Sequence, residues 1–113
     1  MQRKALGEVE QLLLFALVAL RDRAYGVEIR ELIEQQTGKS LSPGAIHTGF
    51  ERLQRRGLVE SRLGDPTPVR GGRRKRFYRI TGAGARALRD SYQRLKRMAT
   101  GWLPELDRLA GAE

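Results

Sequence analysis

The sequence of 113 residues contains no cysteine and only one histidine. A disulfide framework and a cysteine-based zinc site are therefore excluded, and His47 could not form a metal site alone. The longest apolar run, from Leu12 to Leu20, is far shorter than the ~20 residues that a membrane-spanning helix needs. The first residues lack the small-residue cleavage site of a signal peptide. The sequence therefore predicts a small cytoplasmic protein with no metal, no cofactor and no membrane partner.

Groups that carry out catalysis are also scarce. The chain has no thiol nucleophile, no plausible pair of carboxylates for acid–base chemistry and no glycine-rich loop that leads from a strand into a helix. The adjacent Gly71 and Gly72 are better explained by the flexibility of a hairpin loop. The sequence therefore predicts that the protein is not an enzyme.

The formal net charge of +9 is concentrated in one third of the chain. Residues 1–38 carry five basic and six acidic side chains, and residues 80–113 carry six basic and four acidic ones. Residues 39–79 carry eleven basic and only three acidic side chains, a net charge of +8. Charge that served only solubility would be spread more evenly. This concentration of positive charge in residues 39–79 predicts a polyanionic partner.

The stretch SPGAIHTGFERLQRRG, residues 42–57, predicts a short helix within this basic region. Ser42 can cap the first turn, and Pro43 suits the first helical position, where a missing N–H costs nothing. Gly57 suits the residue past the end of the helix. Ile46, Phe50 and Leu53 recur at i, i+4 and i+7, so they share one face that can be buried.

The outer face of this helix is small and polar. It carries Gly44, His47, Thr48, Glu51, Arg52 and Arg55. Such a face, with arginines near its end, can enter the major groove of DNA. A solvated surface helix is the alternative that the stretch alone leaves open.

Two helices precede this one. Residues 7–22 predict a first helix whose second half has almost no polar face, and such a helix must be covered on all sides. A second helix begins at Tyr25-Gly26 and ends at Thr37-Gly38. A short connection, residues 39–41, leads from it into the helix at Ser42. Two helices joined in this way are typical of a helix-turn-helix.

A β-hairpin follows. Residues 58–63 and 76–80 predict two strands, and residues 64–74 form a loop with two prolines and two adjacent glycines. The loop and its return carry five basic side chains, Arg70, Arg73, Arg74, Lys75 and Arg76. A helix-turn-helix with a basic hairpin is a winged helix, so residues 1–80 are predicted to form a DNA-binding unit.

The remainder, residues 81–113, predicts one long helix that begins at the cap Thr81. Its apolar residues follow a heptad pattern: Ala85, Leu88, Tyr92, Leu95, Ala99, Trp102, Leu106 and Leu109. Gly101 and Pro104 interrupt the helix chemically, but the pattern continues in register. One bent helix is therefore favoured over two separate ones.

The helix of residues 7–22 and the heptad pattern both leave more apolar surface than a small domain can cover. A two-fold dimer is the simplest explanation, and a last helix folded back on its own domain is the alternative. The fold class is therefore mainly α with a small β-hairpin, a winged helix-turn-helix followed by a C-terminal dimerisation helix. The predicted dimer contacts are Leu13, Leu17, Leu88, Tyr92, Leu95, Trp102 and Leu106.

Over about residues 6–90 the chain resembles the PadR family of transcriptional regulators. The segments that carry the resemblance are LGEVEQLLLFALVAL, AYGVEIRELIEQQTG, SPGAIHTGFERLQRRGLVESRL and GGRRKRFYRITGAGARAL. The resemblance implies a winged-helix repressor that dimerises through a C-terminal helix, in the small subgroup with a single such helix. His47 departs from the usual tyrosine, and Gly49 replaces a larger residue at a cost of up to ~1 kcal/mol relative to alanine.

The leading hypothesis is a sequence-specific repressor that binds an inverted-repeat operator on double-stranded DNA as a homodimer. A winged-helix module that binds proteins instead is the alternative. Because some PadR members bind flat apolar ligands near a tryptophan of the last helix, Trp102 is the candidate for a small-molecule effector, with ordinary heptad packing as its alternative. The predicted DNA-binding residues are Lys39, Ser42, Gly44, His47, Thr48, Arg52, Arg55, Arg73, Arg74, Lys75 and Arg76.

Overall fold

The computed structural model describes residues 5–65 and 74–111. It is mainly helical with one antiparallel β-hairpin, which confirms the predicted class of a mainly α protein with a small β-hairpin. The elements in chain order are α1 (Glu8–Leu20), a 3₁₀ turn (Arg21–Arg23), α2 (Gly26–Thr37), α3 (Pro43–Arg55), β1 (Val59–Leu63), β2 (Arg76–Ile80), α4 (Gly82–Ala99) and α5 (Leu103–Ala110).

The predicted start and stop signals of α3 are confirmed. The Ser42 hydroxyl accepts a hydrogen bond from the Ala45 N–H at 3.0 Å, and Pro43 occupies the first turn. After the helix Gly57 adopts a left-handed backbone with φ of 72°. Gly38 ends α2 in the same way, with φ of 73°. Residues other than glycine rarely adopt this conformation, so Gly38 fixes the end of α2 and Gly57 follows the end of α3.

The core lies between the four helices α1 to α4 and the hairpin. Ile46, Phe50 and Leu53 are buried, as their spacing predicted. The Phe50 ring stacks on the Tyr78 ring of β2, with centroids 3.9 Å apart and planes 10° from parallel. Gly49 is also buried, and a Cβ atom there would lie 2.5 Å from Leu13 Cδ1. The small residue therefore allows α3 to pack closely on α1, which compensates for its weak helix propensity.

The hairpin joins the helical part through a third extended segment. β1 and β2 pair with Val59 opposite Ile80 and Leu63 opposite Arg76. On the other edge of β2 the Tyr78 N–H donates to the Ala24 carbonyl at 2.9 Å. This edge pairing holds the hairpin against the start of α2, so the wing has a fixed position relative to the helix-turn-helix.

The start of α4 packs tightly on the base of the hairpin. The Thr81 hydroxyl accepts from the Gly84 N–H at 3.0 Å and donates to the Gly57 carbonyl at 2.8 Å. A Cβ atom on Gly84 would lie only 2.1 Å from the Leu58 carbonyl oxygen, a backbone atom that cannot move aside. This close approach requires glycine at position 84.

We therefore expect Gly84→Ala to destabilise the fold by about 1–3 kcal/mol, the usual range for overpacking. Gly82→Ala, two residues earlier, is the matched control, because its Cβ would meet only the flexible end of Arg86 at 3.3 Å. Urea unfolding of both variants measures the difference. Equal unfolding midpoints for the two variants would contradict the close approach of α4 to the hairpin.

The prediction of one bent C-terminal helix is wrong. Thr100 leaves the helical region with φ of −60° and ψ of 124°, and Gly101 adopts φ of 86°. Pro104 lies in the first turn of α5, where its missing N–H costs nothing. The left-handed glycine and the proline therefore end one helix and begin another, and the heptad register is broken between them.

Three predicted dimer contacts are also corrected. Leu13, Leu17 and Leu88 are buried in the core of their own subunit, where α4 packs on α1. They are therefore inaccessible to a partner. α1 is also shorter than predicted, because it ends at Leu20 and Arg21 adopts φ of 55°.

Candidate nucleic-acid interface

The outer face of α3 is exposed along its whole length. Ser42, Gly44, His47, Thr48, Arg52 and Arg55 are all exposed, as predicted from the helical period. The opposite face carries the buried Ile46, Phe50 and Leu53. The helix therefore presents only small, polar or basic side chains to solvent on this side.

Three elements meet at a shallow hollow of about 250 Å³ beside the first turns of α3. Arg30 enters it from α2, His47 from α3 and Arg76 from β2. The sequence pattern does not point to Arg30, because its place on α2 gives no sign that it lies beside α3 and the wing. The signal that could have identified Arg30 is its place one turn into the first helix of the helix-turn-helix.

The basic side chains of α3 differ in their acidic partners. The His47 Nε2 lies 3.0 Å from Glu51 Oε1, and an Arg55 guanidinium nitrogen lies 3.6 Å from Glu51 Oε2. No acidic partner contacts Arg52 within residues 5–65 and 74–111. Since exposed pairs are worth only about 0–1 kcal/mol, Glu51 orients its neighbours without neutralising the face. Arg52 carries the least compensated charge on the helix.

The return of the hairpin is anchored by its own basic residues. The Arg74 Nε donates to the Gly64 carbonyl at 2.9 Å, and the Lys75 ammonium lies 4.2 Å from the centre of the Tyr25 ring. An Arg76 guanidinium nitrogen donates to the Ser61 hydroxyl at 3.1 Å. These contacts hold the base of the wing while the three side chains remain exposed. Arg73 lies outside the described residues.

A polar bridge connects α3 to the wing. The Gln54 side-chain amide donates to the same Ser61 hydroxyl at 2.8 Å. Tyr78 of β2 lines the hollow, and burial raises the pKa of its hydroxyl, with the nearby Arg76 acting in the opposite direction. The hydroxyl therefore stays neutral at physiological pH. The exposed face of α3 and the basic strand β2 thus form one connected surface.

Lys39 lies between α2 and α3, and its ammonium contacts Glu8 Oε1 at 2.8 Å. Both side chains are exposed, so this pair contributes little to stability. The contact places Lys39 beside the first turn of α1.

A second surface is apolar. The exposed large side chains of α1, α4 and α5 include Phe15, Val18, Tyr92, Leu95, Met98, Trp102, Leu103, Leu106 and Leu109. The rings of Phe15 and Tyr92 meet edge to face, with centroids 6.1 Å apart. The exposed apolar residues of α1 and α4 are therefore in contact. Trp102 lies at the N-cap of α5, exposed to solvent. We call this set the apolar strip.

Neither a metal-binding cluster nor a membrane-spanning helix is present in the described residues. Within the described part of the chain, no group of three or more histidine, cysteine or acidic residues could hold a metal ion. None of the helices in the same residues has the length and apolar character needed to cross a bilayer.

Comparison with solved structures supports the winged-helix fold. A PadR-like regulator from Bacillus cereus superimposes with a TM-score of 0.67 at 22% identity, covering 93% of each chain. A PadR family regulator from Clostridium difficile gives a TM-score of 0.67 at 23% identity, covering 88% of this chain and 99% of the other. A transcriptional regulator from Clostridium thermocellum gives 0.64 at 22% identity, covering 84% and 92%.

The sequence itself matches a family model. No curated protein sequence is similar enough to count as a match. The model described as the transcriptional regulator PadR-like family matches residues 14–90, from the middle of α1 into the first half of α4. The matched region includes the whole helix-turn-helix and the wing. The chain therefore belongs to the PadR-like family of transcriptional regulators.

Proposed function

We propose that this regulator is a sequence-specific repressor that binds an inverted-repeat operator on double-stranded DNA as a homodimer. The observation that carries the proposal is the exposed face of α3, which is polar and basic and lies beside the basic strand β2. Repression is the mode of regulation that the family resemblance implies. The proposal rests on charge, exposure and the connection between α3 and the wing.

α3 has the dimensions and chemistry of a recognition helix. Its first turn presents Ser42 and Gly44, whose small side chains allow the helix to approach the base edges closely. His47 and Thr48 follow on the same face and can form hydrogen bonds with bases or the backbone. Arg52, with no acidic partner among the described residues, can reach a phosphate or a guanine edge.

The hollow beside α3 is the proposed contact point for a DNA backbone phosphate. Arg30, His47 and Arg76 are among the residues that line it, and each can donate hydrogen bonds to a phosphate oxygen. Phosphate contacts fix the register of a protein on the duplex, whereas base contacts read its sequence. Arg30 therefore joins the predicted contacts as a residue that positions α3 in the groove.

The wing is proposed to contact the backbone or the minor groove. Its basic residues are exposed, and each lost phosphate contact lowers the dependence of log affinity on log salt by about 0.9 units. We expect the double variant Lys75→Ala with Arg76→Ala to bind all DNA sequences more weakly, with a shallower salt dependence.

The charge-conserving pair Lys75→Arg with Arg76→Lys is the control, and it should retain most of the slope. Fluorescence anisotropy at several salt concentrations measures both variants. If the alanine variant keeps the wild-type affinity and salt dependence, the wing does not contact the DNA. A wild-type affinity that is insensitive to salt would favour the alternative, a module that binds proteins.

Base reading by α3 is tested at Thr48. Since its side chain is exposed and makes no described contact that supports the fold, Thr48→Ala should alter the preferred sequence more than the non-specific affinity. One base position should lose about 1–3 kcal/mol of discrimination. Thr100→Ala, at the end of α4, is the control and should leave the selected sequence unchanged. A Thr48→Ala selection profile identical to wild type would exclude Thr48 from base reading.

The dimer is proposed from the apolar strip. Large apolar side chains that are exposed together on a small domain often mark a protein–protein contact. Of the predicted contacts, Tyr92, Leu95, Trp102 and Leu106 remain exposed and available to a second copy. Two-fold symmetry would place two α3 helices in successive major grooves, about 34–36 Å apart. Trp102 remains the proposed position for an apolar effector between subunits.

A further inference from the structure

His47 is the only histidine of the chain, and it lies on the face of α3 that is proposed to contact DNA. Its side chain is 68% exposed, so both solvent and a bound nucleic acid can reach the ring. Histidine is the only side chain whose ordinary titration falls between about pH 5 and pH 8. The chain therefore carries its single imidazole at the candidate nucleic-acid interface.

Glu51, one helical turn after His47, determines which ring nitrogen carries the hydrogen when the imidazole is neutral. The His47 Nε2 lies 3.0 Å from Glu51 Oε1, and a carboxylate can only accept hydrogen bonds. Nε2 therefore carries the hydrogen, because a bare nitrogen at this distance would repel the carboxylate. Nδ1 is then the atom that changes with pH. It accepts a hydrogen bond in the neutral ring and donates one in the protonated ring.

The charged groups that face His47 act on its charge in opposite directions. From α2 and β2, Arg30 and Arg76 line the same hollow and disfavour a third positive charge there. From α3 itself, Glu51 favours the protonated ring. The second oxygen of that carboxylate lies 3.6 Å from an Arg55 guanidinium nitrogen, so its negative charge is shared between two partners.

A phosphate in the hollow would change this balance. Its negative charge offsets that of the two arginines, and its oxygens accept a hydrogen bond from a protonated Nδ1 but repel a bare one. A complex with DNA would therefore hold the proton on His47 more tightly than the free protein does. By linkage, the protonated protein must then bind DNA more tightly than the neutral one.

The other titratable side chain that lines the hollow is Tyr78. Because burial raises the pKa of the Tyr78 hydroxyl further above its usual value near 10, this group does not titrate near neutral pH. A response of DNA binding to pH in this range would therefore report on the imidazole.

We propose that His47 is a proton-dependent contact to a DNA phosphate, through which this chain binds DNA more tightly as the pH falls from about 8 to about 5.5. The inference rests on the proposed function and adds a means of regulation at the same site. Affinity should be highest where the complex keeps His47 protonated, and it should be lost as the pH rises. Each chain takes up at most one proton, so log affinity changes by at most about one unit per pH unit for each chain.

Wild-type protein is compared with two variants that do not titrate in this range. His47→Gln keeps a neutral polar side chain, and His47→Arg carries a permanent positive charge. Because the side chain is exposed, both variants should fold as the wild type does, which circular dichroism verifies. Fluorescence anisotropy measures binding at about pH 5.5 and about pH 8, on the duplex that wild type enriches from random DNA and on an unrelated duplex of equal length.

Wild type should bind both duplexes more tightly at the lower pH, by up to about fivefold for each chain, the upper range for an exposed charge pair. Its salt dependence should also become steeper by about 0.9 units of log affinity per unit of log salt for each chain, since one more phosphate is neutralised. His47→Gln should change little with pH. His47→Arg should show the steeper salt dependence at both pH values.

Two results would overturn the inference. One is a wild-type affinity that changes with pH no more than that of His47→Gln, which has every other titrating group in common with it. The other is a pH response with no change in salt dependence. In either case, preference for the enriched duplex would still uphold the proposed function. If no duplex is enriched at either pH, sequence-specific binding fails, and the unrelated duplex decides the inference separately. If wild type binds neither duplex, both proposals fail.

Discussion

Replacing Leu95 and Leu106 together by glutamate should convert the protein to monomers and lower its affinity for a specific operator by about 10²–10⁴-fold, the range gained by linking two binding modules. Both side chains lie in the apolar strip and are more than half exposed in the subunit. The substitutions should therefore leave each domain folded. They place two carboxylates where we propose that two subunits bury apolar surface.

The control for this variant is Gln35→Glu with Gln36→Glu, which adds the same charge at exposed positions of α2. It should remain dimeric and lose affinity only modestly, through the added negative charge. Sedimentation velocity and operator binding are measured on the same samples. A Leu95→Glu and Leu106→Glu protein that remains dimeric with full affinity would exclude the apolar strip as the interface.

Phe50→Ala should destabilise the domain by about 3–5 kcal/mol, a large part of the about 5–15 kcal/mol that holds a typical domain folded. Phe50 is completely buried, and its ring stacks on Tyr78, so its removal leaves a cavity between α3 and the hairpin. The same change would disturb the recognition helix and the wing together. Specific DNA binding should be lost with the fold.

Phe50→Leu is the control, because it keeps most of the volume and should cost clearly less. Thermal unfolding followed by circular dichroism measures both variants. If Phe50→Ala melts at the wild-type temperature, the buried and exposed faces of α3 have been assigned wrongly, and the proposed DNA contacts fail with them.

The helix-turn-helix and the hairpin could be predicted because their signals are local. Ser42 and Gly57 mark the ends of α3, and the change from helical to alternating periodicity marks β1. These features depend on residues close together in the chain. The exposed face of α3 follows directly from the same periodicity.

The errors arise where distant parts of the chain decide the structure. Leu13 and Leu17 belong to a helix that is apolar on nearly all sides, so the sequence could not show which side meets α3 and α4. The break at Gly101 depends on a left-handed backbone, whereas the heptad pattern alone favours continuity. Gly49 looked unfavourable for a helix, and only the contact with Leu13 explains it.

Arg30 shows the same limit in the candidate site. Its position on α2 gives no sign of its neighbours, and it joins the residues proposed to contact DNA only through the packing of α2 and β2 beside α3. The charge distribution along the chain, in contrast, correctly indicated the region that forms the basic surface.

The most direct test of the central claim is a binding selection of the wild-type protein from random duplex DNA at physiological salt. We expect enrichment of an inverted repeat whose half-site centres lie about one helical turn, 34–36 Å, apart. The enriched duplex should bind two chains. No enrichment over the starting pool, or enrichment of a single half-site bound by one chain, would contradict the proposal of a dimeric, sequence-specific regulator.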